Sequence, residues 1–262
     1  MTTILDELFS VAGRTAVVTG GAKGIGAMIS AALVRAGCEV FIVARDAEAG
    51  ERLATALATE GRCHFLAADL ADSTQIETFS AALHRRLERL DILINNAGAF
   101  SASEIAASTA AQWDATMALN VRAPFLLVQS LLPLLEAASK QQGPARVINI
   151  GSIAGLAPQS NSAHAYGASK AALHQLTRML ASDLTARGIN VNAIVPGFFP
   201  SDMTAGFFDA VPGLHDAVIA RIPAHRLGTL EDVGGCVIYL CSRAGAYLSG
   251  SLIALDGGLL AL

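Results

Sequence analysis

The stretch that decides the fold of this chain is residues 19–26, which read TGGAKGIG. It follows a short apolar run and opens a segment of helical periodicity. Glycines at such a junction let the backbone turn tightly and let a phosphate approach the amides at a helix N-terminus. The Gly-x3-Gly-x-Gly spacing differs from the general dinucleotide fingerprint, but its place between strand and helix favours a nucleotide site. We expect the contacts to come from Gly20, Lys23, Gly24, Ile25 and Gly26.

Strand-like and helix-like segments alternate along the rest of the chain. The apolar runs are Thr15–Thr19, Glu39–Val43, His64–Ala67, Ile92–Ile94, Arg146–Ile150, Asn190–Val195 and Ser251–Leu255. Helical periodicity covers Ala27–Ala36, Ala47–Glu60, Thr74–Arg89, Ala111–Ala138, Ala165–Arg187 and Leu230–Cys241. This order predicts an α/β fold, a single-domain Rossmann-type doubly wound parallel sheet of about seven strands with helices on both faces. We expect this one domain to span residues 1–262.

Composition excludes several classes of protein. Hydrophobic residues make up 53% of the 262 residues and charged residues only 15%, which rules out intrinsic disorder. The most apolar stretch, 123–138, contains Pro124, Gln129, Ser130 and Pro133, so we predict no membrane span. The net charge of −4 indicates neither a nucleic-acid nor a membrane partner. The scarcity of charge also fits helices 111–138 and 165–187 packing against neighbouring copies of the chain.

Cysteine, histidine and the N-terminus add three expectations. The four cysteines form no Cys-x-x-Cys pair and are expected to be buried, reduced thiols. The six histidines show no metal-ligand spacing, so no metal site is expected. Residues 1–10 lack the pattern of a signal peptide, and we therefore expect a cytoplasmic protein.

One segment, about 196–220, interrupts the alternation. It contains prolines, glycines and four phenylalanines, Phe198, Phe199, Phe207 and Phe208. It is too long for a simple connection and too apolar for a solvated one. We favour a lid over an apolar substrate, with inert packing as the alternative.

The end of the second strand should select the cofactor. A carboxylate there binds the ribose 2′-hydroxyl of NAD, whereas a basic residue accommodates the 2′-phosphate of NADP. Ala44 occupies that position and Arg45 follows it, while Lys23 can reach the same phosphate. Asp46 is the competing signal, which we interpret as the N-cap of the next helix. The sequence therefore favours NADP over NAD.

A tyrosine and a lysine four residues apart suggest acid–base chemistry. Tyr166 and Lys170 would share one face of a helix, where the ammonium is expected to lower the pKa of the tyrosine. The strand Arg146–Ile150 ends in Gly151 and Ser152, 14 residues before Tyr166. Ser152 could hold a substrate carbonyl oxygen while Tyr166 donates a proton to it. The alternative for Ser152 is a turn hydroxyl.

In order and approximate spacing, several motifs resemble those of the short-chain dehydrogenase/reductase superfamily. They are Thr19–Gly26, Asn95–Gly98, Asn120, Ser152, Tyr166 with Lys170, Pro196-Gly197 and the ending Tyr247–Gly258. The resemblance covers essentially the whole chain. It implies a Rossmann-type fold, hydride transfer with NAD(P) and, usually, a tetramer or dimer.

The resemblance also implies a role for each matching residue. Tyr166 would be the general acid/base, Lys170 would lower its pKa and bind the nicotinamide ribose, and Ser152 would polarise the carbonyl. Asn120 would hold a water in a proton relay, although by itself it is merely an asparagine in a helix. The implied cofactor contacts are Asp69 for the adenine, Asn96 and Gly98 in the cleft, Ile194, Pro196 and Gly197 beside the nicotinamide, and Ser201 in place of a threonine that contacts the carboxamide. Asp69 could equally be a turn residue.

Besides Ser201, one interval departs from the family pattern, and four segments indicate a substrate class. The interval from Ser152 to Tyr166 is slightly longer than is usual in the family, so the loop 153–165 is expected to shape the pocket differently. Residues 40–46, 146–152, 166–176 and 199–204 are most similar to NADPH-dependent 3-oxoacyl-(acyl carrier protein) reductases, notably the rhamnolipid-associated type.

The implied substrate is a 3-oxoacyl thioester, with acyl carrier protein as a possible partner. The acidic carrier would need a basic patch, for which Arg122 and Arg178 are candidates, although solvated surface is their alternative. Another hydrophobic ketone, a steroid or a polyol remains open as substrate. So does a dinucleotide-binding regulatory protein without turnover.

Overall fold

The computed structural model describes residues 3–158, 162–209 and 213–261. Parts of two sequence predictions lie outside them: residues 159–161 of the loop before Tyr166, and residues 210–212 of the predicted lid. The side chain of Phe207 is outside the description as well.

Within the described residues, seven strands form one parallel sheet. They are β1 Thr15–Thr19, β2 Glu39–Ala44, β3 Arg62–Ala67, β4 Ile92–Asn95, β5 Ala145–Ile150, β6 Ile189–Pro196 and β7 Leu252–Leu255. Their order in the sheet is β3-β2-β1-β4-β5-β6-β7. The order reverses between β1 and β4, and a crevice therefore opens at the carboxyl ends of these two strands.

The helices cover both faces of the sheet. They are α1 Ile4–Phe9, α2 Gly24–Arg35, α3 Ala47–Leu57, α4 Ser73–Arg86, α5 Ala110–Met117, α6 Ala123–Gln142, α7 His164–Leu184, α8 Asp202–Asp209, α9 Leu214–Arg221 and α10 Leu230–Cys241. Helices α4, α6 and α7 contribute to one buried cluster, and α2, α3 and α10 contribute to the other. Together with the sheet order, this confirms the predicted doubly wound fold.

The strands are apolar throughout because both of their faces are buried. Val17 belongs to the cluster under α4, α6 and α7, whereas its neighbour Val18 belongs to the cluster under α2 and α10. Leu93 and Ile94 on β4 divide in the same way. Successive side chains of a strand point to opposite faces, so a strand covered on both sides shows no polar alternation.

The long helix predicted at 111–138 is interrupted by a different conformation. Between α5 and α6, residues Ala118–Arg122 form one turn of π-helix, with the N–H of Ala123 bonded to the carbonyl of Ala118. Such turns insert one extra residue into a helix and are frequent at functional sites. The insertion changes which side chains face the sheet on either side of it.

The argument that prolines break this apolar stretch is wrong. Pro124 lies in the first turn of α6, and Pro133 lies inside the helix, which continues through it. The helical segment Ala110–Gln141 is long and apolar enough to cross a membrane by length and composition. Half of its most apolar 18-residue window is buried inside the protein.

The segment at 196–220 is more regular than its composition suggested. It contains the two short helices α8 and α9. Phe199 is only 3% exposed and packs where a side chain at Gly228 would otherwise lie. Phe199 is therefore a core residue. The rings of Phe198 and Phe208 pack against each other, with 6.2 Å between their centres. The sequence also gave no indication of α1.

The four cysteines are unpaired. Cys38, Cys63 and Cys241 are buried and Cys236 is half-buried. Burial raises the pKa of every one of these thiols, to about 12 for Cys38 and Cys241 and to about 11 for Cys63 and Cys236. Thiols with such a high pKa are poor nucleophiles at neutral pH.

Candidate active site

A cavity of about 650 Å³ lies at the carboxyl ends of β1, β2 and β4. Its position is the crevice expected where the strand order reverses. The lining residues are Gly20, Ala22, Lys23, Val43, Ala44, Arg45, Asp46, Ala68, Asp69, Leu70, Ala97, Gly98 and Leu119. The cavity is thus built from the glycine turn, the tip of β2 and the segments that follow β3 and β4.

The glycine turn is shaped so that no side chain fits at two of its positions. Gly20 has a φ of +61°, and a Cβ there would lie 2.9 Å from Cα of Ala97. A Cβ on Gly26 would lie 2.2 Å from the carbonyl oxygen of Gly20. The helix α2 begins at Gly24, and its N-cap residue Lys23 makes no capping hydrogen bond with its side chain among the described contacts. The first-turn amides are therefore suited to a phosphate.

Thr19 and Asn96 support this turn from beneath. The hydroxyl oxygen of Thr19 accepts the N–H groups of Asn96 and Ala97, each at 2.9 Å. The Asn96 amide donates to the carbonyls of Thr19 and Gly20 at 2.9 and 3.1 Å. Asn96 thus braces the turn and is not among the cavity lining, where Ala97 and Gly98 lie instead. The sequence did not indicate these hydrogen bonds of Thr19, because they join it to residues that are distant in the chain.

Two cations and two carboxylates face one another at the tip of β2. Lys23 and Asp46 form an ion pair at 2.9 Å, and Arg45 lies 3.9 Å from Asp69. The Asp46 side chain also accepts the N–H of Ala49 at 3.0 Å, which confirms its predicted role as an N-cap. Lys23 and Arg45 both line the cavity, so the donor set suits an anionic group such as a ribose 2′-phosphate.

Asp69 fits both of the interpretations given to it. It lines the cavity, as a residue that contacts an adenine would. It is also a turn residue, because its Oδ1 accepts the N–H of Ala71 at 3.0 Å. Its other oxygen, Oδ2, lies 3.9 Å from the Arg45 guanidinium.

Helix α7 brings Tyr166 and Lys170 together at the end of β5. The Lys170 ammonium is buried, donates to the carbonyl of Ile150 at 2.8 Å and lies 5.6 Å from the centre of the Tyr166 ring. Burial lowers the pKa of Lys170 to about 8. Lys170 is therefore largely charged at pH 7 and loses its proton as the pH rises through about 8.

Tyr166 and Ser152 share a hydrogen bond. Burial raises the pKa of Tyr166 above its ordinary value, and the bond with Ser152 opposes that shift. The expectation that Lys170 sets a lowered tyrosine pKa is corrected here, because desolvation of the phenolate is the larger effect. Tyr166 is thus a neutral phenol at pH 7, which is the form able to donate a proton.

Ser152 combines the two roles considered for it. Its hydroxyl accepts the N–H of Ala154 at 3.2 Å and so begins the short 3₁₀ turn Ile153–Gly155. It is also the partner of Tyr166. Because both hydroxyls meet, a single carbonyl oxygen can contact Ser152 and Tyr166 at once.

Asn120 is buried in the π-helical turn, and its side chain is fully engaged by protein groups. Its Oδ1 accepts the N–H of Ala99 at 2.7 Å. Its amide donates to the carbonyl of Ala99 and to the hydroxyl of Ser169. These hydrogen bonds tie the loop after β4 to α7. Gly98 lies beside it. A Cβ built on Gly98 would lie 3.6 Å from the Nζ of Lys170.

The remaining predicted residues lie at the end of β6. Pro196 is the last residue of β6, and a Cβ on Gly197 would lie 2.9 Å from Cα of Asp256. Ser201 lies next to the glycine turn, because a Cβ built on Gly24 would lie 3.0 Å from the Cβ of Ser201. The Ser201 hydroxyl is also bonded to Thr204 within the first turn of α8.

One aromatic contact in the site was not predicted. The ring of Phe100 meets the ring of Tyr166 edge-on, with 5.1 Å between the centres. Nothing in the sequence around Phe100 indicates this contact, since it joins segments that are far apart in the chain. Among the described residues, no group of three or more His, Cys, Asp or Glu side chains is arranged to hold a metal ion.

Comparison with known proteins agrees with this geometry. Residues 20–260 match the family described as enoyl-(acyl carrier protein) reductase. A rhamnolipids biosynthesis 3-oxoacyl-(acyl-carrier-protein) reductase of Pseudomonas aeruginosa is 47% identical over 97% of this chain and 99% of its own. A short-chain dehydrogenase/reductase of Diaporthe leptostromiformis, PhomF, is 33% identical over 99% of this chain and 95% of its own.

A solved structure gives the same result in three dimensions. The Pseudomonas aeruginosa RhlG/NADP active-site complex superposes with a TM-score of 0.92 and 46% identity, over 97% of this chain and 98% of that one. The fold, the catalytic constellation and the extent of these matches agree, and the chain belongs to the short-chain dehydrogenase/reductase family.

Proposed function

We propose that this chain is an NADPH-dependent reductase that converts 3-oxoacyl thioesters to 3-hydroxyacyl thioesters. That it is a reductase of this family follows from the comparisons, and the thioester is the proposed part. The observation that carries the chemistry is the hydrogen bond between Ser152 and Tyr166, beside the buried Lys170. The similar Pseudomonas aeruginosa protein is named for reduction of a 3-oxoacyl substrate, which supports the choice of thioester.

The cofactor is NADP(H), and several features of the cavity fit it. The uncapped first turn of α2 suits the pyrophosphate, and Lys23 and Arg45 suit the 2′-phosphate. Asp69 lines the cavity and would contact the adenine. Lys170, Pro196 and Gly197 would hold the nicotinamide and its ribose. When bound, NADPH supplies the hydride for the reaction.

The residues of this chain supply the rest of the reduction. Ser152 donates a hydrogen bond to the carbonyl oxygen and orients it. As the carbon accepts a hydride, the oxygen gains negative charge and takes the proton of the Tyr166 hydroxyl. The C=O bond becomes CH–OH, and Tyr166 becomes a phenolate. The adjacent Lys170 ammonium stabilises that phenolate until a proton from solvent restores it.

The surroundings of the site suit an apolar acyl chain. Phe198 and Phe208 form an aromatic pair above the end of β6. Below them lies a second cavity of about 180 Å³, lined in part by Phe198, Phe199, Ile222 and Leu255. An acyl chain could lie against the apolar side of this cavity, whose lining also includes Arg226, Asp232 and Asp256.

Fewer observations support docking of an acyl carrier protein than support the thioester substrate. Arg122 and Arg178 are both exposed, as a docking patch for an acidic partner requires. Arg122 also donates to the carbonyl of Ala71 at 2.6 Å, so part of its guanidinium is used within the chain. A faster reaction with the carrier-bound substrate than with the coenzyme A thioester would support docking.

The test is oxidation of NADPH with 3-oxoacyl thioesters of several chain lengths, on both carriers, beside a steroid ketone and a keto-gluconate. We expect the thioesters to react fastest and Tyr166→Phe to lower kcat by about 10²- to 10⁴-fold with NADPH binding retained. Equal rates for wild type and Tyr166→Phe would overturn the mechanism. A preference for the steroid or the sugar acid would overturn the substrate class. Binding of NADPH without turnover of any carbonyl would favour a regulatory protein.

A further inference from the structure

His174 is a buried histidine that the reaction described above does not use. It lies on α7 one turn after Lys170 and two turns after Tyr166, and it is 2% exposed. Positions i, i+4 and i+8 of a helix share one face. The face of α7 that carries the catalytic pair therefore carries this imidazole as well, next to the carboxyl end of β5.

The imidazole lies directly against the backbone that holds Ser152. Its Nε2 accepts the main-chain N–H of Ser152 at 3.5 Å. A Cβ on Gly151 would lie 2.2 Å from that nitrogen, and a Cβ on Gly155 would lie 2.7 Å from the ring carbon Cε1. The ring thus occupies the space that two side chains flanking Ser152 would need. The histidine excludes a side chain at Gly151, whereas at Gly155 the backbone of α7 at Lys170 and Ala171 excludes one as well.

The protonation state of this histidine is fixed by its surroundings. Burial lowers the pKa of His174 to about 4, and the nearby charges of Lys170 and Arg178 act in the same direction, with the Gly155 carbonyl opposing them. The ring is therefore neutral at pH 7. Because Nε2 accepts the Ser152 N–H, the proton of the neutral ring is on Nδ1.

Three contacts together hold the end of β5. The Lys170 ammonium donates to the carbonyl of Ile150 at 2.8 Å. The N–H of Gly151 donates to the carbonyl of Ile194 at 2.7 Å. His174 completes the set by accepting the N–H of Ser152. Of the three, only the contact with His174 acts on the residue whose hydroxyl meets Tyr166.

We propose that His174 is a positioning residue for Ser152, whose backbone it fixes so that the hydroxyl is aimed at the carbonyl oxygen beside Tyr166. The inference rests on the proposed reduction, because it assigns a residue that serves the Ser152 hydroxyl in that reaction. His174 does not touch the substrate. Its effect should therefore appear in kcat and depend on the presence of the Ser152 hydroxyl.

The first test compares two replacements of similar size. The side-chain oxygen of His174→Gln can accept the Ser152 N–H, whereas His174→Leu has no acceptor. We expect His174→Leu to lower kcat by about 10- to 100-fold with little change in the Kd of NADPH. His174→Gln should keep most of the wild-type kcat. Equal losses in the two variants would show that the ring only fills space and would overturn the proposal.

The second test asks whether the effect passes through Ser152. In a Ser152→Ala background, where the hydroxyl is gone, His174→Leu should change kcat by less than about twofold. If the two losses simply multiply, His174 acts on another part of the site and the proposal is wrong. His174→Gln, which keeps the acceptor, serves as the control in the same background.

The third test needs no substrate and separates this proposal from the proposed function. Hydrogen–deuterium exchange reports the Ser152 amide in the NADPH complex, whichever carbonyl is reduced. We expect faster exchange at Ser152 in His174→Leu than in wild type or His174→Gln. Equal exchange in all three would overturn the proposal even if the reductase activity is established. Faster exchange beside a wild type that reduces no carbonyl would leave the contact standing and refute the function.

Discussion

At the scale of single residues, we predict that the preference for NADP over NAD depends on Arg45. Its guanidinium lines the cavity and its nearest carboxylate is 3.9 Å away, in an exposed pair that contributes little by itself. It is therefore available for charge-assisted hydrogen bonds to a 2′-phosphate. The carboxylate of Asp46, which competes for the same role in the sequence, is occupied as a helix cap and as the partner of Lys23.

Replacing Arg45 by aspartate should reverse the preference for the cofactor. Loss of about 1.5–3 kcal/mol of charged hydrogen bonding corresponds to a roughly 10- to 100-fold higher Kd for NADPH. NADH, which has no 2′-phosphate, should bind no worse. Fluorescence titration with both cofactors measures this, with Arg52→Asp as the matched control on the outer face of α3. Tighter binding of NADH than NADPH by the wild type would contradict the assignment.

The pKa of Lys170 predicts how activity depends on pH. The ammonium stabilises the Tyr166 phenolate, and burial lowers the lysine pKa to about 8. We expect kcat/KM for NADPH to fall above a pH of about 8 as this charge is lost. A profile that stays flat to a pH of about 10 would contradict it.

The lowered pKa of Lys170 also makes the free energy of unfolding depend on pH. Between a pH of about 8 and the ordinary lysine value of 10.5, the unfolded chain binds a proton at Lys170 that the folded protein does not. The contribution of Lys170 to the free energy of unfolding should therefore increase with pH across this window. Urea denaturation of wild type and Lys170→Met at several pH values isolates that contribution, which should be lost in the variant.

At the scale of elements, a buried arginine near the start of β5 fixes the C-terminal end of α10. The Arg146 guanidinium is 1% exposed and donates to the carbonyls of Leu240 and Ser242, each at 3.0 Å, and to the carbonyl of Pro144. The last carbonyls of a helix lack partners within the helix, and a cation there is favoured by the helix dipole. Arg146 thus joins β5 to α10.

Replacing Arg146 by methionine should lower the free energy of unfolding by about 3 kcal/mol, because buried carbonyls lose their donors. Urea denaturation measures this. Arg62→Met, at an exposed ion pair with Glu39, should change stability by less than about 1 kcal/mol. An unchanged stability for Arg146→Met would mean that desolvation of the guanidinium cancels its hydrogen bonds.

Element boundaries show what local patterns can predict. The strand β1 and the helix α10 have the bounds that periodicity predicted, because their patterns depend only on neighbouring residues. The π-helical turn at Ala118–Arg122 was missed because it depends on how α5 and α6 meet the rest of the protein. The helices α8 and α9 were missed because prolines and glycines obscure short helical patterns.

At the scale of the whole molecule, apolar side chains remain exposed on the helices that the sequence predicted to face other subunits. Trp113 on α5, Phe125 on α6 and Met179 on α7 are 44%, 42% and 58% exposed. Large apolar side chains that remain exposed on these helices fit contacts with other subunits. We therefore keep the prediction of a homodimer or homotetramer.

Sedimentation velocity at micromolar concentration tests this prediction. We expect the wild type to sediment as a dimer or tetramer, and Phe125→Glu combined with Met179→Glu to sediment as a smaller species. Leu5→Glu, at a more exposed apolar position on α1, should leave the assembly unchanged. A wild type that remains a monomer would refute the prediction and leave the low content of charge unexplained.

The sequence by itself determined the order of strands and helices, the glycine turn and the pairing of Tyr166 with Lys170. These features depend on residues close together in the chain, whose spacing can be read directly. Only the tertiary structure decided that burial raises the pKa of Tyr166, that Asn96 and Asn120 brace loops, and that His174 lies against Ser152. Each of these depends on desolvation or contact between distant segments, and spacing along one chain does not record such contacts.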